Sequence, residues 1–89
     1  MSERELPHNT DAEKSVLGAL LIDCEAAQGV FDIVTTDDFY SNRHKKIFDA
    51  ANCIYMQHQS LDQVLLWEEL KKRGDEEKIG GVDYLDELE

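Results

Sequence analysis

Apolar residues recur along most of the chain at steps of three and four, the spacing that places side chains on one face of an α-helix. They form five helical segments and a weaker sixth turn around Phe39 and Tyr40. No segment alternates apolar and polar residues in the way that a half-buried strand does. We therefore expect an all-α fold, a compact orthogonal bundle of about five to six helices.

Capping residues support the boundaries of these helices. Thr10 and Glu13 have the spacing of a capping box at the start of the first helix, and Asp62 is placed to cap the fourth. The fourth helix ends in KKRG, which puts three cations at the negative end of the helix dipole and Gly74 where a left-handed residue is needed. The last helix reaches Glu89 without a stop signal, so we expect the chain to be cut from a longer protein.

The longest helix, from about Asn42 to Gln57, has the clearest apolar stripe, and this stripe includes His44 and His58. The second helix carries the apolar residues Val30, Phe31, Ile33 and Val34. In the last helix, Val82, Leu85 and Leu88 are expected to face inward. The residues expected to form the core are Leu17, Leu20, Phe31, Phe39, His44, Ile47, Phe48, Leu66, Leu70 and Leu85.

The charge of the chain restricts its partners. Its 89 residues include 20 acidic and 9 basic side chains, a formal net charge of −11. A surface of that sign repels phosphate, so we expect little or no direct nucleic-acid binding. The basic stretch RHKK at positions 43–46 does not change this expectation, because Arg43, Lys45 and Lys46 fall off the apolar stripe. Since cations and rings on opposite faces do not make a stacking platform, we interpret the stretch as a core helix with a solvated basic side.

No motif points to catalysis. A phosphate-binding loop would need GxxxxGK followed by Ser or Thr, and we interpret Gly80–Gly81 as a helix break instead. Zinc sites usually draw close pairs of ligands from one turn or helix, and no such pair occurs among the candidate ligands His8, His44, His58, Cys24 and Cys53. We therefore expect no catalytic residue, no metal and no cofactor in this chain.

The sequence indicates a cytoplasmic protein without a membrane partner. Cys24 and Cys53 are too few for a disulfide framework, so we expect reduced thiols. The longest apolar run, ALLI at 19–22, is too short to span a bilayer, and the N-terminus carries no secretory signal.

Two aromatic residues suggest a surface for a partner protein. Trp67 and Leu65 lie off the Leu66–Leu70 face, so their helix is either buried on a second side or exposes a large apolar ring as an interface anchor. Tyr84 lies beside the inward face of the last helix, where we expect its ring at the edge of the core and its hydroxyl in water.

Four stretches that occur in order resemble the N-terminal domain of the bacterial replicative DNA helicase, the DnaB family: LPHNTDAEKSVLGALLID, DDFYSNRHKKIFDA, LDQVLLWEELKKRG and IGGVDYLDEL. The resemblance covers nearly the whole chain. It implies an N-terminal tail over residues 1–9 and a helical collar domain over residues 10–89, truncated before the helical hairpin and the ATPase motor that follow in the family. ATP and Mg²⁺ would then be cofactors of the parent motor and not of this chain.

The resemblance also implies partners and roles. It implies a non-catalytic domain that docks the C-terminal helicase-binding domain of primase, self-associates in a hexameric collar and helps to regulate the helicase. A helicase loader is a further candidate partner, and the implied location is the bacterial cytoplasm. Asp11 and Tyr84 match family positions near the junction with the hairpin, so we expect them to contact primase, with Trp67 as a further partner-binding residue. His44, within the RH-x-x-IF match, is expected to be structural.

Two alternatives stay open. The chain could be a free-standing helical adaptor or inhibitor that binds a helicase or a primase. It could also be a small DNA-binding helical regulator that uses Arg43, Lys45 and Lys46 and loses affinity steeply as salt rises. The chain departs from the family pattern DLVTLAEEL, which here is DQVLLWEEL.

Overall fold

The structure, a computed structural model, describes residues 10–88, apart from the side chains of residues 10, 24 and 26. Within that range the chain forms α1 (Thr10–Ile22), α2 (Cys24–Ile33), a 3-10 turn (Thr36–Asp38), α3 (Asn42–His58), α4 (Gln63–Arg73) and α5 (Gly81–Leu88), with no strand. The all-α prediction is confirmed. The predicted tail over residues 1–9 and the Thr10 half of the capping box lie outside the described residues.

Local hydrogen bonds explain where the helices begin and end. The carboxylate of Asp62 accepts from the backbone N–H of Leu65 at 2.8 Å, which satisfies one of the free amides at the start of α4. Gly74 ends the same helix with φ of 77°, and its own N–H donates to carbonyls of the last turn. The sequence predictions of a cap at Asp62 and a left-handed Gly74 are confirmed.

An aromatic cluster joins α2, the segment after the 3-10 turn and α3. The ring centroid of Phe48 lies 5.2 Å from that of Phe31 and 4.9 Å from that of Phe39, and the ring of Phe31 lies 5.3 Å from that of Tyr55. All three pairs are tilted, an arrangement that stabilises the core beyond the area it buries. This cluster therefore ties α2 and the segment after the 3-10 turn to α3.

Most residues expected in the core lie there. The buried ones are Leu17, Leu20, Phe39, His44, Ile47, Phe48, Leu66, Leu70 and Leu85, and Phe31 is partly buried against them. Sequence reasoning missed Ile79, which is fully buried in the turn between α4 and α5. Its charged neighbours give no periodic pattern from which burial could be predicted.

Two residues expected to face inward, Val82 and His58, are exposed, and so is the apolar Ile33 of α2. Ile33 is 80% exposed, because Val30, Phe31 and Val34 occupy the inward side of their segment and leave Ile33 on the other. Val82 is 40% exposed, since the inward side of α5 is formed by Tyr84, Leu85 and Leu88. His58 is exposed at the last position of α3, beyond the end of the buried stripe.

Replacing Phe48 by alanine is expected to lower the free energy of unfolding by about 3–5 kcal/mol, because the ring is buried and its loss leaves a cavity. Met56→Ala is the matched control, since Met56 lies on the same helix and is exposed. Urea denaturation followed by circular dichroism measures both. Equal midpoints for Phe48→Ala and the parent would contradict the central position of this ring.

Replacing either of two helical glycines by alanine should change the stability of the fold, in opposite directions at the two positions. A Cβ at Gly18 in α1 would overlap the carbonyl oxygen of Leu88, so α5 would have to move and stability should fall. A Cβ at Gly29 in α2 meets no atom within 4 Å, so Gly29→Ala should add about 0.5–1 kcal/mol through helix propensity. Thermal melts of the two variants test this, and the opposite order would contradict the packing of α5 on α1.

Candidate interaction surface

α1, the start of α3 and α5 meet at a buried histidine. His44 is 0% exposed, with Nδ1 at 2.7 Å from Glu13 Oε1 and Nε2 at 2.5 Å from the hydroxyl of Tyr84. Because a carboxylate can only accept, Nδ1 carries a hydrogen, and in the neutral ring Nε2 accepts from the Tyr84 hydroxyl. One imidazole thus joins three helices, and the structural role predicted for His44 agrees with this position.

Glu13 also binds the backbone that leads into α3. One carboxylate oxygen accepts from the amide of Tyr40 at 2.7 Å and the other from the amide of Ser41 at 3.4 Å. Burial raises the pKa of Glu13, but the hydrogen bonds from His44, Tyr40 and Ser41 outweigh it and the net pKa lies below the ordinary value. Glu13 is therefore an ionised acceptor that ties α1 to α3, a role that the capping-box interpretation missed.

Tyr84 is buried at 7% exposure, in contrast to the predicted position with its hydroxyl in water. Its ring stacks on that of His44 at 5.8 Å, and the Arg43 guanidinium lies 3.9 Å from the ring centroid, within cation–π range. Burial raises the pKa of the Tyr84 hydroxyl. The phenol therefore stays protonated and keeps its hydrogen for His44.

Gly80 permits this close packing. Its φ is 98°, a conformation that favours glycine, and a Cβ added there would lie 3.2 Å from both an Arg43 guanidinium nitrogen and Tyr84 Cβ. The GG pair is thus a helix break, as predicted, and it also makes room for Arg43 over the Tyr84 ring.

Charged side chains cover this polar junction and form what we call the α1–α5 surface, made of Asp11, Lys14, Arg43 and Glu87. Lys14 Nζ lies 2.8 Å from Glu87 Oε2 and 5.8 Å from the centroid of the Tyr84 ring. The bond to Glu87 raises the pKa of Lys14, and the same bond lowers that of Glu87. Asp11 is exposed at the start of α1 and adds to the negative field at Lys14.

Trp67 belongs to a second feature, which we call the α4–α5 groove, lined by Asp62, Gln63, Val64, Trp67 and Val82. The indole is partly buried against the core, as the interpretation of a second core contact predicts, and it also lines the groove. Its predicted role as an interface anchor stays a prediction. Asp11 and Tyr84, the other two residues predicted to bind partners, do not line it. Their predicted contact with a partner protein stays a prediction.

The basic stretch of α3 lies beside carboxylates. Lys45 and Lys46 line a shallow depression with Asp49 and Asp75, and Arg73 is held there by Asp49 at 2.8 Å. Negative side chains among the cations weaken the attraction for phosphate.

The described part of the chain shows neither a cluster of metal ligands nor a membrane-crossing helix. Within residues 10–88, no three His, Cys, Asp or Glu side chains are grouped as a metal site would need. His8 lies outside the described residues. No helix in that range combines the length and apolar character needed to cross a bilayer.

Comparisons with known proteins agree with one another. Residues 5–89 match the family model described as the DnaB-like helicase N terminal domain. The chain is 38% identical over 82 residues to the replicative DNA helicase DnaB of Rhodothermus marinus and 34% identical over 82 residues to that of Haemophilus influenzae. Each alignment covers 92% of this chain, but only 9% and 18% of the relative, respectively.

A solved structure is similar over the same range. The crystal structure of the N-terminal domain of DnaB helicase from Mycobacterium tuberculosis matches with a TM-score of 0.87 and 35% identity. The match covers 92% of this chain and 57% of that one. The arrangement of helices described above is thus shared with that domain.

The lowered pKa of Glu13 predicts a pH dependence of stability. A carboxylate with a lower pKa in the folded state stabilises the fold at pH values above its unfolded pKa, and this contribution is lost as pH falls through the folded value. The free energy of unfolding should therefore fall as pH drops below about 4.3. Glu13→Gln should be less stable than the parent at pH 7 and should lose less on acidification.

Urea titrations between pH 3 and 7, about the range in which glutamates titrate, measure this difference. Bonds to Arg73 and Lys14 also lower the pKa values of Glu69 and Glu87, and these two groups titrate in both proteins. Only the difference in unfolding free energy between the parent and Glu13→Gln therefore reports on Glu13. Glu25→Gln is the control, because it removes an exposed glutamate of α2. Parallel pH profiles for the parent and Glu13→Gln would contradict the assigned role.

Proposed function

The chain belongs to the DnaB-like helicase N-terminal domain family, and from this membership we propose that it serves a replicative DNA helicase as a non-catalytic interaction domain. The names of its relatives, each a replicative DNA helicase DnaB, support that setting. This chain spans less than a fifth of those two relatives. ATP hydrolysis with Mg²⁺ and DNA unwinding would be carried out by the motor of the parent helicase.

The proposed partner of the α1–α5 surface is the C-terminal helicase-binding domain of primase. The observation that carries this proposal is the fixed arrangement of charges: Arg43 is stacked on Tyr84 and Lys14 is paired with Glu87. Because these side chains are already held, less rotamer entropy is lost when a partner binds. Asp11 would contact the partner directly, while the buried Tyr84 would support Arg43 and Lys14 from below.

Self-association in a hexameric collar is the second part of the proposal. A collar would cover apolar side chains that a single chain exposes, such as Ile22 and Ile33 at 68% and 80% exposure. Such coverage contributes roughly 25 cal/mol for each Å² removed from water. Through these contacts the domain would help to regulate the helicase, with a loader as a further partner.

The DNA-binding alternative is less well supported. The chain has a net charge of −11, and Asp49 and Asp75 lie among the cations of α3. Both features oppose the approach of a phosphate backbone. The free-standing adaptor or inhibitor would use the same kind of protein contact, and no feature of residues 10–88 favours it over the helicase domain.

An amide NMR titration of this chain with the C-terminal domain of primase from the same organism tests the docking proposal. Saturable shifts are expected around Asp11, Lys14 and Glu87. Asp11→Asn should weaken binding by about twofold to fivefold, the usual effect of one exposed ion pair. Asp32→Asn, which removes an exposed carboxylate from α2, is the matched control and should bind as the parent does.

Two results would count against the proposal. Saturable shifts confined to other helices would place primase elsewhere on the domain. An unchanged spectrum at millimolar concentrations of the primase domain would mean that this chain by itself does not dock primase.

A further inference from the structure

The α4–α5 groove exposes apolar side chains that the core does not use. Val64 is 70% exposed and Val82 is 40% exposed, and they line the groove together with the partly buried Trp67. The groove has a volume of about 450 Å³. A hydrogen bond of 2.6 Å from Gln63 to Asp86 joins α4 to α5 beside it. This is the form of site that receives one large apolar side chain.

The rim of the groove is negative. Asp62 lines it, Asp83 directly follows Val82 and is exposed, and Asp86 is bound to Gln63, a neutral donor that leaves the carboxylate charge in place. Lys71 lies 5.9 Å from the Trp67 ring, but it is paired with Glu68 at 3.2 Å. Asp62 in the lining, and Asp83 and Asp86 next to lining residues, therefore make the surroundings of the groove negative.

This charge decides between occupants. A second copy of the chain docked by its own groove would place its aspartates against these, and the two chains would each carry a net charge of −11. A segment with lysine or arginine beside an apolar anchor would meet both features of the site. Charge complementarity therefore favours a basic partner over self-pairing.

We propose that the α4–α5 groove docks a short amphipathic helix of a partner protein, which inserts a large apolar side chain between Val64, Trp67 and Val82 and places lysine or arginine near the aspartates. Apolar anchors on one helix face, laid into a groove of this kind, are a common recognition mode. The proposal concerns a different surface from the α1–α5 surface and does not depend on primase docking.

A synthetic peptide tests the proposal directly with the full chain. The probe is a helical peptide with leucines on one face and lysines at both ends, and two matched peptides replace either the lysines by glutamates or the leucines by serines. Trp67 is the single tryptophan of the sequence, so its fluorescence reports on the groove without labelling. The lysine peptide should shift this fluorescence saturably, and both matched peptides should bind at least about tenfold more weakly.

Variants of the chain locate the binding. Val64→Asp should weaken binding of the lysine peptide by about tenfold or more, because it puts a charge where the leucine is buried. Met56→Asp is the control, since it makes the same kind of change at an exposed apolar residue of α3. The pair Asp83→Asn and Asp86→Asn should weaken binding about twofold to fivefold per site and flatten its dependence on salt.

Three outcomes would overturn the proposal. The lysine peptide could leave Trp67 fluorescence unchanged up to millimolar concentration. The lysine and glutamate peptides could bind equally, which would remove the charge argument. Sedimentation could also reveal a self-association that Val64→Asp abolishes and Met56→Asp preserves, and the occupant of the groove would then be a second copy. The primase titration reports on Asp11 and Lys14, so its result is separate from all three.

Discussion

The imidazole of His44 imposes the constraint from which the arrangement of three helices follows. The ring is fully buried, and both of its nitrogens need partners there, since a buried polar atom without one costs about 1–3 kcal/mol. Glu13 and Tyr84 supply them from positions 31 and 40 residues away in the chain. α1 and α5 must therefore pack on the start of α3 at a distance set by hydrogen bonds as well as by apolar contact.

The α1–α5 surface is a consequence of this buried network. Tyr84 points its hydroxyl inward to His44, and its ring is approached by the Arg43 guanidinium and the Lys14 ammonium. Gly80 leaves room for the guanidinium where any side chain would crowd it. The exposed charges are thus placed by residues beneath them, and a substitution at the fully buried His44 would alter a surface that this residue does not itself reach.

The two candidate surfaces suit different kinds of recognition. The α1–α5 surface is polar and held in place by ion pairs and a stacked guanidinium, so it favours orientation and specificity. The α4–α5 groove is apolar with a negative rim, so it favours one buried anchor. Both involve α5, and α5 is attached to the rest of the fold by His44, by close contact with Gly18 and by Gln63 of α4.

The sequence by itself determined the helices, the cap at Asp62, the turn at Gly74 and, through four motifs in order, the family. These features depend on hydrogen bonds and periodicity within about four residues, which a sequence displays directly. Only the tertiary structure decided that Glu13 binds His44, that Tyr84 is buried, and that Val82 and Ile33 are exposed. Those outcomes depend on how helices far apart in the chain pack together. The spacing of residues within one helix does not specify which side chains of that helix will face another helix.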